Sequence, residues 1–188
     1  MKRILLLLTV LLLASCGQRE KNTHAAADDA TVDQKSEGEL PDSVRARKFS
    51  PVFPTVDSLF SIYISAIAER DTATLASLLV TEEEFQHWLW PEFPMSDPAM
   101  NVPEGFAWRN LAIKSDKGLR RMLRDLGGRR YSITRLRFVE GVEKYASFEV
   151  WSGTRVDVLD ERGKSVELAY AGSIVQLNGT HKLMSYKE

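Results

Sequence analysis

The stretch Leu119-Arg120-Arg121-Met122-Leu123-Arg124-Asp125-Leu126-Gly127-Gly128-Arg129-Arg130-Tyr131-Ser132-Ile133-Thr134-Arg135-Leu136-Arg137-Phe138 contains a change of period. Up to Leu126 the apolar residues Leu119, Met122, Leu123 and Leu126 recur at three- and four-residue steps, which is the stripe of an amphipathic helix. Beyond Arg130 the steps shorten to two. Thr134, Leu136 and Phe138 alternate with polar residues, as a strand with one buried face requires. Gly127-Gly128 separates the two regimes, because a helix C-cap commonly takes left-handed backbone that glycine adopts at no steric cost.

Upstream of this point the chain reads as helices. The stripe extends back through Leu111 and Ala107, giving a helix from about Glu104 to Leu126 that is open to interruption around Ser115 to Gly118. Pro91, Pro94, Pro98 and Pro103 break the residues before it into a loop. Val56, Leu59, Phe60, Tyr63, Ala66 and Ile67 form a second stripe behind Thr55 and Asp57 as N-cap candidates. Asp71 caps a short helix carrying Leu75, Leu78 and Leu79, and Thr81-x-x-Glu84 has the spacing of a capping box.

Downstream the period of two continues. It runs through Ala146, Phe148 and Val150, then Val156 and Val158, then Val166, Leu168 and Tyr170, then Val175 and Leu177, and ends on Met184 and Tyr186. Turns are expected at Glu140-Gly141, at Glu161-Arg162-Gly163-Lys164 and at Asn178-Gly179, the strongest hairpin signal of the three. Helices followed by strands predict an α+β fold, with N-terminal helices packed on one face of a curved antiparallel sheet.

The 188 residues, less a leader and a polar stretch, leave roughly 130 for folding, enough for one domain with a core. A net charge of -1 argues against nucleic acid as a partner, since neutralising phosphates calls for a basic excess. The one cationic cluster, Arg120, Arg121, Arg124, Arg129 and Arg130, is interleaved with the helix stripe. It reads as a solvated face, with an anionic-ligand patch as the alternative.

The chain opens on Lys2-Arg3 and the apolar run Ile4 to Leu13, which has the length and flanks of a signal-peptide core. This run ends in Leu13-Ala14-Ser15-Cys16, which resembles the bacterial lipobox: an aliphatic residue, two small residues, then the cysteine that takes diacylglycerol. The resemblance implies a signal peptide over residues 1–15 and a mature chain held to the membrane through lipidated Cys16, in the cell envelope. Gly17, in place of the Asp common in lipoproteins kept at the inner membrane, implies the outer membrane, facing the periplasm. Cys16 is the only cysteine, so lipidation leaves no thiol for a disulfide, a nucleophile or a metal.

From Gly17 to about Ser50 the chain is polar and alanine-rich, with too little apolar surface to offset chain entropy, so residues 16–50 are expected to be a disordered tether. Such a tether has an r.m.s. span of roughly 30 to 35 Å. The folded domain is expected to begin at Pro51.

The helices-then-sheet layout, the corner Ala68-Glu69-Arg70-Asp71 and the terminal hairpin from Gly172 to Tyr186 resemble the NTF2-like (SnoaL-like, cystatin-like) fold over about residues 55–188. That resemblance implies a conical cavity between helices and sheet. It also implies two uses of the cavity: binding of an apolar ligand, or catalysis by a carboxylate or histidine base facing an acidic donor.

His87, in Phe85-Gln86-His87-Trp88-Leu89-Trp90, is the leading general-base candidate, although the helical wheel turns it aside from Phe85, Trp88 and Leu89. His181 is expected on the last strand, either pointing to solvent or standing in place of an aromatic. Glu149 and Asp157 are acid candidates that alternation places opposite their apolar neighbours. No H-x-x-x-H or H-E-x-x-H spacing occurs, so neither a metal nor another cofactor is expected. Trp88, Trp90, Trp108 and Trp151, with Arg109 as polar anchor, are candidates to line one pocket mouth, and core packing is the plainer reading. The expected function is a tethered envelope protein binding a small apolar or peptide-like ligand or a partner protein. An isomerase, hydratase or hydrolase of the same fold and a structural component of an envelope complex are the alternatives.

Overall fold

The computed structural model describes residues 41–188, so the leader, Cys16 and the tether up to residue 40 lie outside the described residues. The helical part comprises α1 (Asp42–Arg45), α2 (Val56–Glu69), α3 (Thr72–Ser77), α4 (Glu82–Glu84) and α5 (Glu104–Leu126). The strands are β1 (Tyr131–Lys144), β2 (Phe148–Asp160), β3 (Ser165–Leu168), β4 (Ile174–Leu177) and β5 (Thr180–Leu183). Helices and an open five-stranded antiparallel sheet make an α+β fold.

Local chemistry sets the helix boundaries. The Thr55 hydroxyl accepts from Ser58 N–H at 3.1 Å, and Asp71 Oδ1 accepts from Thr74 N–H at 3.0 Å. Thr81 and Glu84 form the reciprocal box: Glu84 N–H donates to the Thr81 hydroxyl at 3.2 Å, and Thr81 N–H donates to Glu84 Oε2 at 2.8 Å. After Glu84 the chain widens into a π-helical turn, Phe85–Leu89, and the proline-rich stretch then forms three short 3-10 turns rather than an irregular loop.

The long helix α5 is continuous, against the expected interruption at Ser115 to Gly118. These small residues are a crossing point instead. The Ser115 hydroxyl accepts from Tyr186 N–H at 3.0 Å, and a β-carbon on Gly118 would sit 2.6 Å from the Lys187 carbonyl oxygen. Small side chains here let the C-terminal segment lie directly on the helix backbone.

The sheet order is β1-β2-β4-β5, with β3 paired to the far half of β2. Two strands expected separately, around Phe148 and around Val156, are one strand. Gly153, at φ 72, lets it change face midway. Trp151 and Val156 would point to opposite sides of a regular strand, yet both pack into the core beneath α2. The register irregularity between Phe138 and Gly141 on β1 lies opposite this glycine. Glu140-Gly141 therefore forms part of a bulge, not the expected turn. The Asn178-Gly179 turn joins β4 to β5 as expected, both residues having positive φ.

Each face of the sheet carries a core. One contains α2, α3 and the second half of α5, with Tyr63, Met122, Val156 and Leu183 among its buried members. The other holds Phe49, Phe85, Leu89, Trp90, Phe148 and Val175, with Trp108 and Leu111 of α5 packed against it. Because cross-strand neighbours share a face, the register Val150–Val175–Lys182 sends Lys182 into this second core.

The folded part also starts before Pro51. Phe49 is fully buried, its N–H donating to the Thr180 hydroxyl at 3.2 Å, and the Asn178 amide donates to the carbonyls of Val44 and Arg47 at 2.8 and 2.9 Å. The sequence reading missed this because a single aromatic in a polar segment has no period.

Candidate ligand groove

Proline spacing shapes the site. Pro91 and Pro94 hold the chain in successive short turns, so Trp90 and Phe93 both turn toward Phe85, with ring centroids 5.8 and 6.2 Å from it. Phe93 also meets Tyr145 and Phe148 edge-on at 5.1 and 5.5 Å, and those two rings stack at 4.6 Å. Glu92 fixes the loop by accepting from Ser147 N–H at 2.9 Å in the β1–β2 turn.

Between this aromatic floor and the start of α5 lies an open groove of about 480 Å³. Trp90, Phe93, Met95, Phe106, Tyr145 and Met184 are among its lining residues, and among the described residues Asn110, Glu143, the Tyr145 hydroxyl and the Trp90 indole supply its polar side-chain groups. Two rim residues, Met95 and Phe106, stand 48% and 57% exposed although both are large and apolar. The Tyr145 hydroxyl donates to Glu143 Oε2 at 2.7 Å. Burial, and then that bond to a carboxylate, push the Tyr145 phenol up to about 12.

A larger depression of about 980 Å³ runs between α2 and β1, but Asp57, Ser61, Ser65, Glu69, Ser132 and Arg135 make about half of its wall polar. The groove by Phe93 is the better ligand site, since apolar walls with few polar groups are what small-molecule sites share.

The residues singled out in the sequence are divided between places. Trp90 lines the groove, and Trp108 touches the same Phe85 ring at 5.4 Å. Trp88 stacks on Phe49 at 6.1 Å as core packing. Trp151 belongs to the core under α2, between Phe138 and His181, and its indole N–H donates to Glu149 at 3.0 Å. Arg109 and His87 are exposed on their helices. His181 is buried, with Nδ1 3.1 Å from the Phe53 carbonyl. Asp157 is held by Arg137 at 2.8 Å, and Arg137 also takes Glu167 at 2.7 Å. Among the described residues, no three His, Asp or Glu side chains form a group able to hold a metal ion.

Phe93, Met95, Phe106, Tyr145 and Met184 were not singled out in the sequence. The signal for the first two was present in Trp90-Pro91-Glu92-Phe93-Pro94-Met95, where aromatics and prolines alternate. Tyr145 and Met184 come from distant strands and carry no local mark.

No family model matches this chain, and comparison with curated proteins and with solved structures gives no match.

Proposed function

We propose that the chain is a cell-envelope lipoprotein, anchored through Cys16 at the periplasmic side of the outer membrane, whose NTF2-like domain binds a small apolar or peptide-like ligand. The observation that carries the ligand-binding reading is the groove itself. Large apolar side chains at a groove rim, Met95 and Phe106 here, lose hydration on meeting an apolar ligand, and each buried methylene contributes about 0.8 kcal/mol. Methionines at the rim adapt to more than one ligand shape. Binding is favoured over catalysis because the groove's carboxylate, Glu143, faces a tyrosine whose proton is held tightly, and His87 lies outside the lining.

Titrating the chain with a brominated fatty acid tests the groove, because bromine quenches nearby tryptophans and Trp90 is in the wall. Saturable quenching is expected, weakened about tenfold or more by Phe106→Glu, which places a charge at the apolar rim. Absence of quenching, or an unchanged Phe106→Glu protein, removes the ligand-binding reading. Mass spectrometry of the N-terminal peptide from the membrane fraction tests the anchor separately: a diacylglycerol-modified Cys16 is expected, and an unmodified thiol excludes it.

A further inference from the structure

The charge of this chain nearly cancels overall but is segregated along it. Residues 71–108 contain seven Asp or Glu and no Lys or Arg, whereas residues 109–137 contain ten Lys or Arg and two Asp. The 23-residue helix α5 carries the division into space, with Glu104 at one end and Leu126 about 35 Å away.

At that far end the fold collects arginines from separate parts of the chain. Arg70 closes α2 in left-handed backbone and donates to the Gly127 carbonyl at 3.0 Å. Arg129 and Arg130 lead into β1. Arg162 lies in the β2–β3 turn and is brought beside them because Tyr131 pairs with Asp160. Arg129, Arg130 and Arg162 line a depression of about 380 Å³ whose other members are Asp160 and Glu161.

Those two carboxylates are engaged by backbone. Asp160 Oδ1 accepts from the N–H groups of Arg162 and Lys164 at 2.9 and 2.8 Å, and Glu161 accepts from Arg130 N–H at 3.2 Å. Farther back on α5, Arg120 pairs with Asp116, and Arg121 and Arg124 with Asp125. Among the described residues, the side chains of Arg129, Arg130 and Arg162 form no ion pair with a carboxylate. Three exposed guanidiniums thus converge beside two carboxylates that accept from backbone, leaving the depression one positive charge in excess and its guanidinium forks without a side-chain ion pair.

We propose that this arginine end docks on an anionic phospholipid surface, Arg129, Arg130 and Arg162 taking headgroup phosphates. A guanidinium matches phosphate oxygens in a two-pronged hydrogen bond. The proposal rests on the lipoprotein reading only for its location. Acylated Cys16 supplies the membrane, and the 25 residues from Cys16 to Pro41 reach at most about 85 Å, enough for any end of the domain to touch the surface. Charge then selects the end. An anionic surface attracts the arginines at the C-terminal end of α5, while the groove, lined by Glu143 and the first turns of that helix, lies toward its other end and opens away from the headgroups.

The test uses the mature chain with Cys16→Ser, so that no lipid contributes, co-sedimented with phosphatidylcholine vesicles alone and with about one third phosphatidylglycerol. Binding is expected only to the anionic vesicles and to fall steeply with salt. The triple variant Arg129→Gln, Arg130→Gln, Arg162→Gln is expected to bind roughly 10- to 100-fold more weakly with an unchanged melting temperature, and Arg109→Gln to bind as the parent. Equal binding to both vesicles, or an unaffected triple variant, overturns the proposal. Duplex DNA bound as tightly as the anionic vesicles also overturns it, in favour of a general polyanion surface. Because the chain tested carries no acyl group, an unlipidated Cys16 leaves this result standing on its own.

Discussion

The ammonium of Lys182 lies 2.9 Å from both carboxylate oxygens of Glu84, with the two side chains 1% and 7% exposed. Glu84 also caps its own helix turn through Thr81 N–H, and Lys182 stands 5.8 Å from the centre of the Phe49 ring. The pair therefore joins the start of α4, the last strand and the N-terminal segment inside one apolar core. Removing one partner strands a buried charge. Lys182→Met is expected to cost about 3 to 5 kcal/mol in urea denaturation, and the double variant Glu84→Gln, Lys182→Met to cost less than Lys182→Met alone. A double variant at least as unstable as the single one would contradict the account.

Two glycines on α5 predict opposite outcomes. Nothing lies within 4 Å of a β-carbon on Gly105, so Gly105→Ala should stabilise by up to about 1 kcal/mol. Gly118→Ala meets the Lys187 backbone at 2.6 Å and should destabilise by about 1 to 3 kcal/mol, displacing the Tyr186 segment. Thermal melting of both variants decides it. Similar shifts would mean that the C-terminal segment does not cross the helix there.

The N-terminal strap is fastened by Asn178. Asn178→Ala removes both bonds to the Val44 and Arg47 carbonyls and leaves alanine at φ 46. Trypsin should then cut at Arg45, Arg47 or Lys48 faster, alongside a loss of about 1 to 3 kcal/mol. Unchanged cleavage with a lowered melting temperature would locate the effect in the turn alone.

Stability should fall at both extremes of pH. Asp71, Asp125 and Asp160 titrate below the usual aspartate range, held down first by hydrogen bonds from Thr74, Tyr170 and Lys164 respectively. Their folded pKa values lie below the unfolded ones, so their contribution is present above about pH 4 and is lost as pH drops through the folded values. Tyr145 is shifted up to about 12, and burial moves Tyr63 and Tyr186 upward as well. Their contribution is complete below about pH 10 and disappears as pH rises through the folded values. For Tyr145, absorbance titration at the tyrosinate band should place the midpoint near 12 and show it lower in Glu143→Gln. An unshifted midpoint in that variant would show that the carboxylate does not hold the phenol.

By itself the sequence determined the α+β class, the helix starts at Asp71 and Thr81, and the Asn178-Gly179 hairpin, and it offered Thr55 beside Asp57 for the first long helix. Period, capping and turn chemistry act between residues a few positions apart, so a linear reading captures them. Tertiary structure alone decided the rest. The fate of Ser115 and Gly118 depended on a segment some 70 residues away, as shown by the Tyr186 N–H to Ser115 bond. The face change at Gly153 depended on β1, and the burial of Phe49 depended on Thr180 and Lys182. The groove follows the same rule: only Trp90-Pro91-Glu92-Phe93-Pro94-Met95 was visible as a run, while Tyr145 and Met184 join it through strand register. Long-range burial is the dominant favourable term in folding, and it acts between surfaces whose partners a single chain order does not name.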